Sequence, residues 1–367
     1  MRLGIDTSTI IEEEEAGAKY YDNGKEIDPY ALFPQNGVDL MRIRIWNDPY
    51  DENGKPYLGG TNDLAQAIKI IRRTKQYGYT YCINFHYSDF WVDPMKQTLP
   101  KAWKNYGIEQ LCDAVYNYTK SSLEEIKKED IKVDYIQIGN EITNGMLWPL
   151  GGLIDQGWGK PRCNYDNFIA LLKSGISAAR EIYPQARIMI HLESPHNRDT
   201  FDEIMTNLTN YGVDFDLLGT SYYPYWHGTM DQLFDTLSMI KEKYHKPVMI
   251  SELGYGFTFE DYILNNNGFN QMKVNQETIS NDLPYPVTVE GQAAFIEEFV
   301  KRCKENDVEG IMYWEPLWLP LDGICWASEE GQKYIHEEGK STRNEWANQC
   351  FFDYKGNKLP AFDKYKI

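Results

Sequence analysis

The sequence predicts a single-domain (β/α)8 barrel, and three observations carry that prediction. Eight short apolar runs alternate with helical periods across the 367 residues, the pattern of a parallel sheet with crossover helices. Turns from helix to strand are short while loops after strands are long, so the loops collect on one face, as they do at the C-terminal face of a barrel. No GxGxxG fingerprint is present, which weighs against the runner-up, an open doubly wound sheet.

Residues 3–6 read as the first strand, followed by a loop with the acidic run 12–15. A short helix over 28–35 stops at Asn36-Gly37. In 39–46, DLMRIRIW, Leu40, Arg42, Arg44 and Trp46 share one face and Met41, Ile43 and Ile45 the other. A helix over 62–77 halts at Gly78, and the third strand, 79–85, runs into His86. The helix at about 107–130 leads to the fourth strand, 133–138, after which Gly139 ends the run and Asn140 and Glu141 emerge. Then follow helix 165–183 and strand 186–192, helix 198–211 and strand 215–222, helix 230–244 and strand 247–252. Helix 289–305 precedes the last strand, 308–314. No repeat, low-complexity tract or linker divides the chain, so residues 1–367 read as one domain.

Charge narrows the partners. Basic residues number 37 against 55 acidic, a net −18 without a basic cluster, which argues against nucleic acid and anionic membranes. No run approaches the roughly 18 apolar residues of a membrane span. Aromatic residues reach 14%, which suits a protein that stacks on sugar rings, and a neutral ligand is expected. The chain opens MRLGIDTS without a visible leader, so either it is intracellular or a leader has been removed. Cysteines 82, 112, 163, 303, 325 and 350 form neither a CxxC pair nor metal spacing. Most read as buried thiols, and a Cys325–Cys350 bridge stays open.

The long loops 87–106, 142–164, 253–288 and 315–343 carry Trp91, Trp103, Trp148, Trp158, Trp318 and Trp326. The strand ends beneath them form one ring: Arg44, His86, Asn140 with Glu141, His191, Tyr222 with Tyr223, Glu252, and Trp314 with Glu315. Glu141 and Glu252 come from the fourth and seventh strands and so face each other across the mouth. Paired carboxyl groups flanking a scissile bond are what glycoside hydrolysis needs. Apolar surroundings would keep Glu141 protonated near neutrality, as a general acid requires.

These residues carry a family resemblance. The chain resembles the endo-β-1,4-galactanases of glycoside hydrolase family 53, through GIDTS (4–8), YYDNGK (20–25), RIRIWNDP (42–49), NFHYSDFWVDP (84–94), QIGNEITNGMLWPLG (137–151), SYYPYWHG (221–228), YWEPLWLP (313–320) and NEWANQCFFDYKGNKLPAF (344–362). The resemblance covers essentially the whole chain. It implies retaining, two-step cleavage of internal bonds in pectic galactan, with Glu141 as acid/base and Glu252 as nucleophile. Arg44 is expected to hold Glu252 ionised, and Asn140 to bind the sugar 2-OH. His86, His191 and Tyr223 would position carboxylates or sugar; Trp91 and Trp314 would stack on galactose, and Asp89 and Glu315 complete the expected substrate contacts. The choice of Tyr223 over Tyr222 rests on the resemblance.

No cofactor is expected to be required. The family often has a calcium loop after the nucleophile strand, but 259–275 here has few carboxylates and no histidine, so calcium fits poorly. SELGYGF also departs from the family's commoner sequence after the nucleophile, which bears on contacts at that side of the cleft. The rival expectations are a mannanase, xylanase or cellulase of the same clan, and a glycan-binding barrel without catalysis. A polymeric substrate implies an extracellular or cell-surface enzyme, and a monomer is the default.

Overall fold

The computed structural model describes residues 1–154, 162–263, 270–279 and 281–367. Eight parallel strands, β1 (Arg2–Asp6), β2 (Val38–Ile45), β3 (Thr80–Phe85), β4 (Val133–Ile138), β5 (Arg187–Leu192), β6 (Leu217–Tyr222), β7 (Val248–Leu253) and β8 (Gly310–Trp314), pair in sequence order. The pairing of β8 with β1 closes the barrel.

Helices Leu64–Thr74, Ile108–Lys127, Tyr165–Ile182, Arg198–Asn210, Met230–Tyr244 and Val289–Glu305 return the chain between strands. Each buries one stripe against the sheet; in Tyr165–Ile182 it includes Phe168, Leu172, Ile176 and Ala179. Each large apolar side chain so buried contributes about 1.5–3 kcal/mol. The caps are local: Asp63 accepts the Gln66 N–H, and Thr229 and Gln232 form a reciprocal capping box. At Gly78, φ of +79° lets the helical segment end within one residue of β3.

The barrel interior is layered by the two-residue period of its strands. At the base Leu40, Cys82, Tyr135, Met189, Leu217, Met249 and Met312 form a buried plug, one residue from each of seven strands. The eighth, β1, contributes Gly4, where an added Cβ would come within 2.9 Å of Met312. Two residues further along several strands the interior turns polar: Asp6, Arg42, Asn84, Gln137 and His191, all buried. Beyond them lies the mouth. The strand pattern therefore climbs from an apolar floor through a hydrogen-bonded middle to a reactive rim.

Alternation alone would place Glu252 on the opposite face from Met249. The pairing of β6 with β7 shifts register between Thr220↔Ile250 and Ser221↔Glu252. This irregularity inserts an extra residue and turns Glu252 inward, the usual effect of a bulge beside a site.

Two local expectations are corrected. The acidic run 12–15 is not loop but part of helix Ile10–Glu15, whose Glu12 and Glu13 lie in its favourable first turn. Glu12 accepts the Gly60 N–H and the buried Glu13 the Leu319 N–H, so neither is a solvated loop charge. A hairpin of Tyr20–Asp22 and Lys25–Ile27 also forms within YYDNGK. Its Asn23-Gly24 turn has positive φ at both residues, as a type I′ turn requires. Cys325 and Cys350 are not bridged; the Cys350 thiol points to the Trp318 carbonyl oxygen at 3.1 Å.

Candidate active site

A cleft of about 390 Å³ opens at the C-terminal ends of the strands. Its floor holds Glu141 and Glu252, and Trp91, Trp226, Trp314, Trp326 and Trp346 wall it. Glu141 follows Gly139 and Asn140 off β4 with φ of +49°, a left-handed conformation costly for a non-glycine residue. Here that turn carries the carboxyl over the barrel mouth, where it is 9% exposed.

The two carboxyl groups sit in different fields. Burial pushes Glu141 well above the ordinary carboxylate range, and the negative charges of Glu252 and Glu193 push it the same way. Among the described residues the Ser221 hydroxyl, donating to Oε1 at 2.6 Å, favours its ionised form directly. Burial also raises Glu252, but Arg42 opposes it, with Nη2 3.0 Å from Oε1. The Tyr223 hydroxyl donates to Oε2 at 3.0 Å in the same sense. The pair is thus divided into a proton holder and a carboxylate with a cationic partner.

The cation is the first correction to the sequence expectation. Arg44 does not pair with Glu252; it gives Nη1 to Glu315 and, at 3.5 Å, to Asp6. Its guanidinium lies 4.4 Å from the Trp91 ring centroid, and Arg44 lines the cleft beside that ring. Arg42, two residues earlier on the same face, also bonds Asp6 and the Asn140 side-chain oxygen, both at 2.8 Å. Nor does the arginine bring Glu252 below its ordinary value, because burial is the larger influence.

Glu315 is the second correction. It accepts from the Thr9 hydroxyl and N–H beneath the rim, does not line the cleft, and burial raises it to about 7. Asp89 is the third. Its buried carboxylate accepts from the N–H groups of Asp48 and Lys101 and pairs with the Lys101 ammonium at 3.1 Å, outside the cleft. Both are held by protein partners, and neither lines the cleft that holds Glu141 and Glu252.

The other expected residues converge on the site in different ways. His86 lines the cleft; Trp46 Nε1–H donates to its Nδ1 at 3.2 Å, which leaves Nε2 as the protonated nitrogen. Asn140 lines it too, with its Nδ2 donating to the Val92 carbonyl. His191 is fully buried behind Glu141, with Nε2 2.9 Å from Ser221 Oγ, so it reaches the Glu141 carboxyl through that serine. Tyr223 reaches the nucleophile position, whereas Tyr222 turns outward, stacks on Phe299 and donates to the Gly228 carbonyl. Of the loop tryptophans, Trp103, Trp148 and Trp318 do not line the cleft; Trp158 lies outside the described residues.

Arg42, Ser221, Glu193, Trp226 and Trp346 escaped the sequence argument as site residues. Arg42 and Ser221 stand inside motifs of the resemblance, and strand alternation from Arg44 and from Tyr223 would have found both. Glu193 follows His191 by the same period. Trp346 also stands inside a motif of the resemblance, but no strand alternation leads to it, since it arrives on a segment remote from any strand end.

In the 259–275 loop, of which 264–269 lie outside the described residues, Asp261 is committed to the Arg343 guanidinium and to the N–H groups of Ile263 and Gln271. Among the described residues no group of three His, Cys, Asp or Glu side chains is placed to hold a metal ion.

Opposed carboxyl groups of unequal proton affinity, in a tryptophan-walled cleft at the mouth of a (β/α)8 barrel, define the glycoside hydrolase class. Comparisons agree. The family model described as "Glycosyl hydrolase family 53" matches residues 2–365, and the chain belongs to that family. The endo-beta-1,4-galactanase of Bacillus subtilis (strain 168) is 34% identical over 99% of this chain and 85% of its own. The Ignisphaera aggregans GH53 catalytic domain superposes with TM-score 0.86 at 36% identity, over 99% of this chain and 94% of that one. A structure from a study of two fungal beta-1,4-galactanases gives TM-score 0.77 at 29% identity, over 100% and 98%.

Proposed function

We propose that this chain is an endo-acting β-1,4-galactanase that cleaves internal bonds of pectic galactan by retaining double displacement. The observation that carries the mechanism is the asymmetry of the carboxyl pair: Glu252 has Arg42 and Tyr223 against its two oxygens, and Glu141 has no cationic partner among the described residues. Glu252 attacks the anomeric carbon as the bond to the leaving oxygen breaks, and Glu141 gives its proton to that oxygen. Water then attacks the galactosyl-Glu252 ester, Glu141 takes the water proton, and Glu252 departs as carboxylate. Asn140 would meet the 2-OH, and the tryptophans would stack on rings at about 1 kcal/mol each.

The relatives' names support the choice of galactan over mannan, xylan or cellulose. Degradation of such a polymer implies an extracellular or cell-surface location, with the enzyme working as a monomer and needing no cofactor. The test is reducing-end release from β-1,4-galactan, β-1,3-galactan, mannan and xylan, with the anomer of the first product followed by NMR. Release from β-1,4-galactan alone, with a β product and loss of about a thousandfold or more in Glu252→Gln, is expected. Turnover of another polymer would remove the substrate assignment, and an α product the retaining mechanism.

A further inference from the structure

Behind the acid/base lies a hydrogen-bonded chain that begins and ends on the same residue. The Glu141 backbone N–H points at His191 Nδ1, 3.4 Å away. Gln137 Nε2, itself a donor, stands 3.1 Å from the same ring nitrogen. His191 Nε2 is 2.9 Å from Ser221 Oγ, and Ser221 Oγ is 2.6 Å from Glu141 Oε1. His191 and Ser221 are completely buried. Among the described residues nothing hydrogen-bonds Glu141 Oε2.

Two proton arrangements satisfy these distances. In one, Nδ1 accepts from the Glu141 N–H, Nε2–H donates to Ser221, and the serine hydroxyl donates to Oε1, while the Gln137 amide hydrogens go to Asn84 Oδ1 at 2.7 Å and the Gly139 carbonyl at 2.9 Å. In the other every bond reverses: Oε1–H donates to serine, serine to Nε2, and Nδ1–H to the Asn140 oxygen 3.1 Å away. The second leaves the Glu141 N–H facing an N–H. It also asks for the Asn140 oxygen, already taken by Arg42 at 2.8 Å. The first arrangement is therefore the one the surroundings support.

We propose that Ser221, oriented by His191, is a positioning residue that occupies Oε1 of Glu141 in both half-reactions and confines the travelling proton to Oε2. When Glu141 is protonated, the serine donor makes Oε1 the carbonyl-type oxygen and puts the acid proton on the oxygen left for the glycosidic bond. After that proton has gone to the leaving group, the same donor holds Oε1 of the carboxylate, and Oε2 accepts the proton of the attacking water. Without Ser221, the acid proton is free to sit on either oxygen, one of which faces the interior. The inference rests on the retaining reading given above. It adds a group that touches neither sugar nor the reacting atoms. Glu252, Glu193 and Asp93 are the other charges that bear on Glu141, and none of them donates a hydrogen bond to it.

The experiment compares wild type, Ser221→Ala and Ser221→Thr as full chains in two measurements. The first is the pH profile of kcat/KM on galactan beside a 2,4-dinitrophenyl β-galactobioside, whose leaving group needs no proton. The second is 13C NMR titration of Glu141 in the free protein, assigned with Glu141→Gln, which requires no turnover. In Ser221→Ala the galactan rate is expected to fall about tenfold or more, as for loss of a bond to a charged group. The first step on the activated substrate should stay within about threefold, and the Glu141 titration and basic limb should both move to higher pH. Ser221→Thr, which keeps the hydroxyl, should restore both. An unmoved Glu141 titration overturns the proposal, as does a rate loss equal on both substrates. If wild type cleaves no galactan, the functional reading fails, while the NMR titration still decides whether Ser221 holds Oε1.

Discussion

Arg42 and Glu252 meet Nη2 to Oε1 at 3.0 Å, one side chain from β2 and the other turned inward by the irregularity in β7. Arg44, on the same face of β2, is spent on Glu315 beneath the rim. The two arginines of one strand therefore have separable roles. Removing the cation from Glu252 makes its ionised form harder to hold, so Arg42→Ala should move the acidic limb of kcat/KM to higher pH. The rate should fall by about a hundredfold or more. Arg44→Ala strands the buried Glu315, while Asp6 keeps Arg42, a loss of about 3–5 kcal/mol by urea unfolding, and should leave that limb in place. Equal movement of the limb in both variants would contradict the division.

Asp89 gives a second prediction. Its carboxylate fastens the loop after β3 to the N–H groups of Asp48 and Lys101 and to the Lys101 ammonium. Asp89→Asn keeps the shape and loses the charge, which should cost about 1–3 kcal/mol in a thermal or urea melt. KM for galactan should stay within about twofold of wild type, because no cleft surface changes. A large rise in KM at unchanged stability would return Asp89 to the substrate.

The fold was legible because each strand is short, apolar and followed by a long loop, and every barrel strand expected from the sequence is present within a few residues. The mouth was legible only where alternation holds. It led from Leu40 to Arg44 and from Cys82 to His86, but it could not choose between Arg42 and Arg44 as the partner of Glu252. That choice depends on how far up the barrel each guanidinium reaches. Nor could it foresee that Glu252 turns inward through a shift of register. Glu315 and Asp89 were not separable from ligand contacts because a carboxylate at or beyond a strand end looks the same in sequence whether it meets a ligand, the buried Arg44 or the half-exposed Lys101. The helix Ile10–Glu15 was hidden by a run of four glutamates, two of them bonded to backbone N–H groups across the barrel top.

Trp346 tests the cleft wall. Its ring meets Trp314 edge-on at 5.2 Å and Trp226 at 6.3 Å, and it lines the cleft. A sugar stacked there would gain about 1 kcal/mol. Trp346→Ala should raise KM for long galactan about fivefold and leave both pH limbs unmoved. If KM is unchanged, the ring serves packing with Trp314 and carries no sugar.

Glu193 offers a prediction about stability against pH. Its carboxyl lies 5% exposed beside the cleft, takes a hydrogen bond from the Thr143 hydroxyl, and burial raises it to about 7. In the unfolded chain it titrates at the ordinary glutamate value near 4.3. Between those two values the folded state holds a proton that the unfolded state has lost. The stabilising contribution is therefore fully present below the unfolded value and disappears as pH rises through about 7. Its full extent is about 4 kcal/mol. The buried histidines His86, His191 and His227, all depressed by burial, act in the opposite sense, favouring the fold as pH rises through their unfolded value. The wild-type curve alone thus cannot isolate Glu193, but its difference from Glu193→Gln can, since glutamine stays neutral in both states. Urea unfolding of the two proteins at about pH 5 and about pH 8 should show wild type losing ground to the variant by about 2–3 kcal/mol at the higher pH. A difference independent of pH would mean that Glu193 ionises in the fold as readily as in the open chain. Its charge would then stand permanently beside Glu141, and the large upward displacement of the acid/base would have to be shared between two fixed negative neighbours, Glu193 and Glu252.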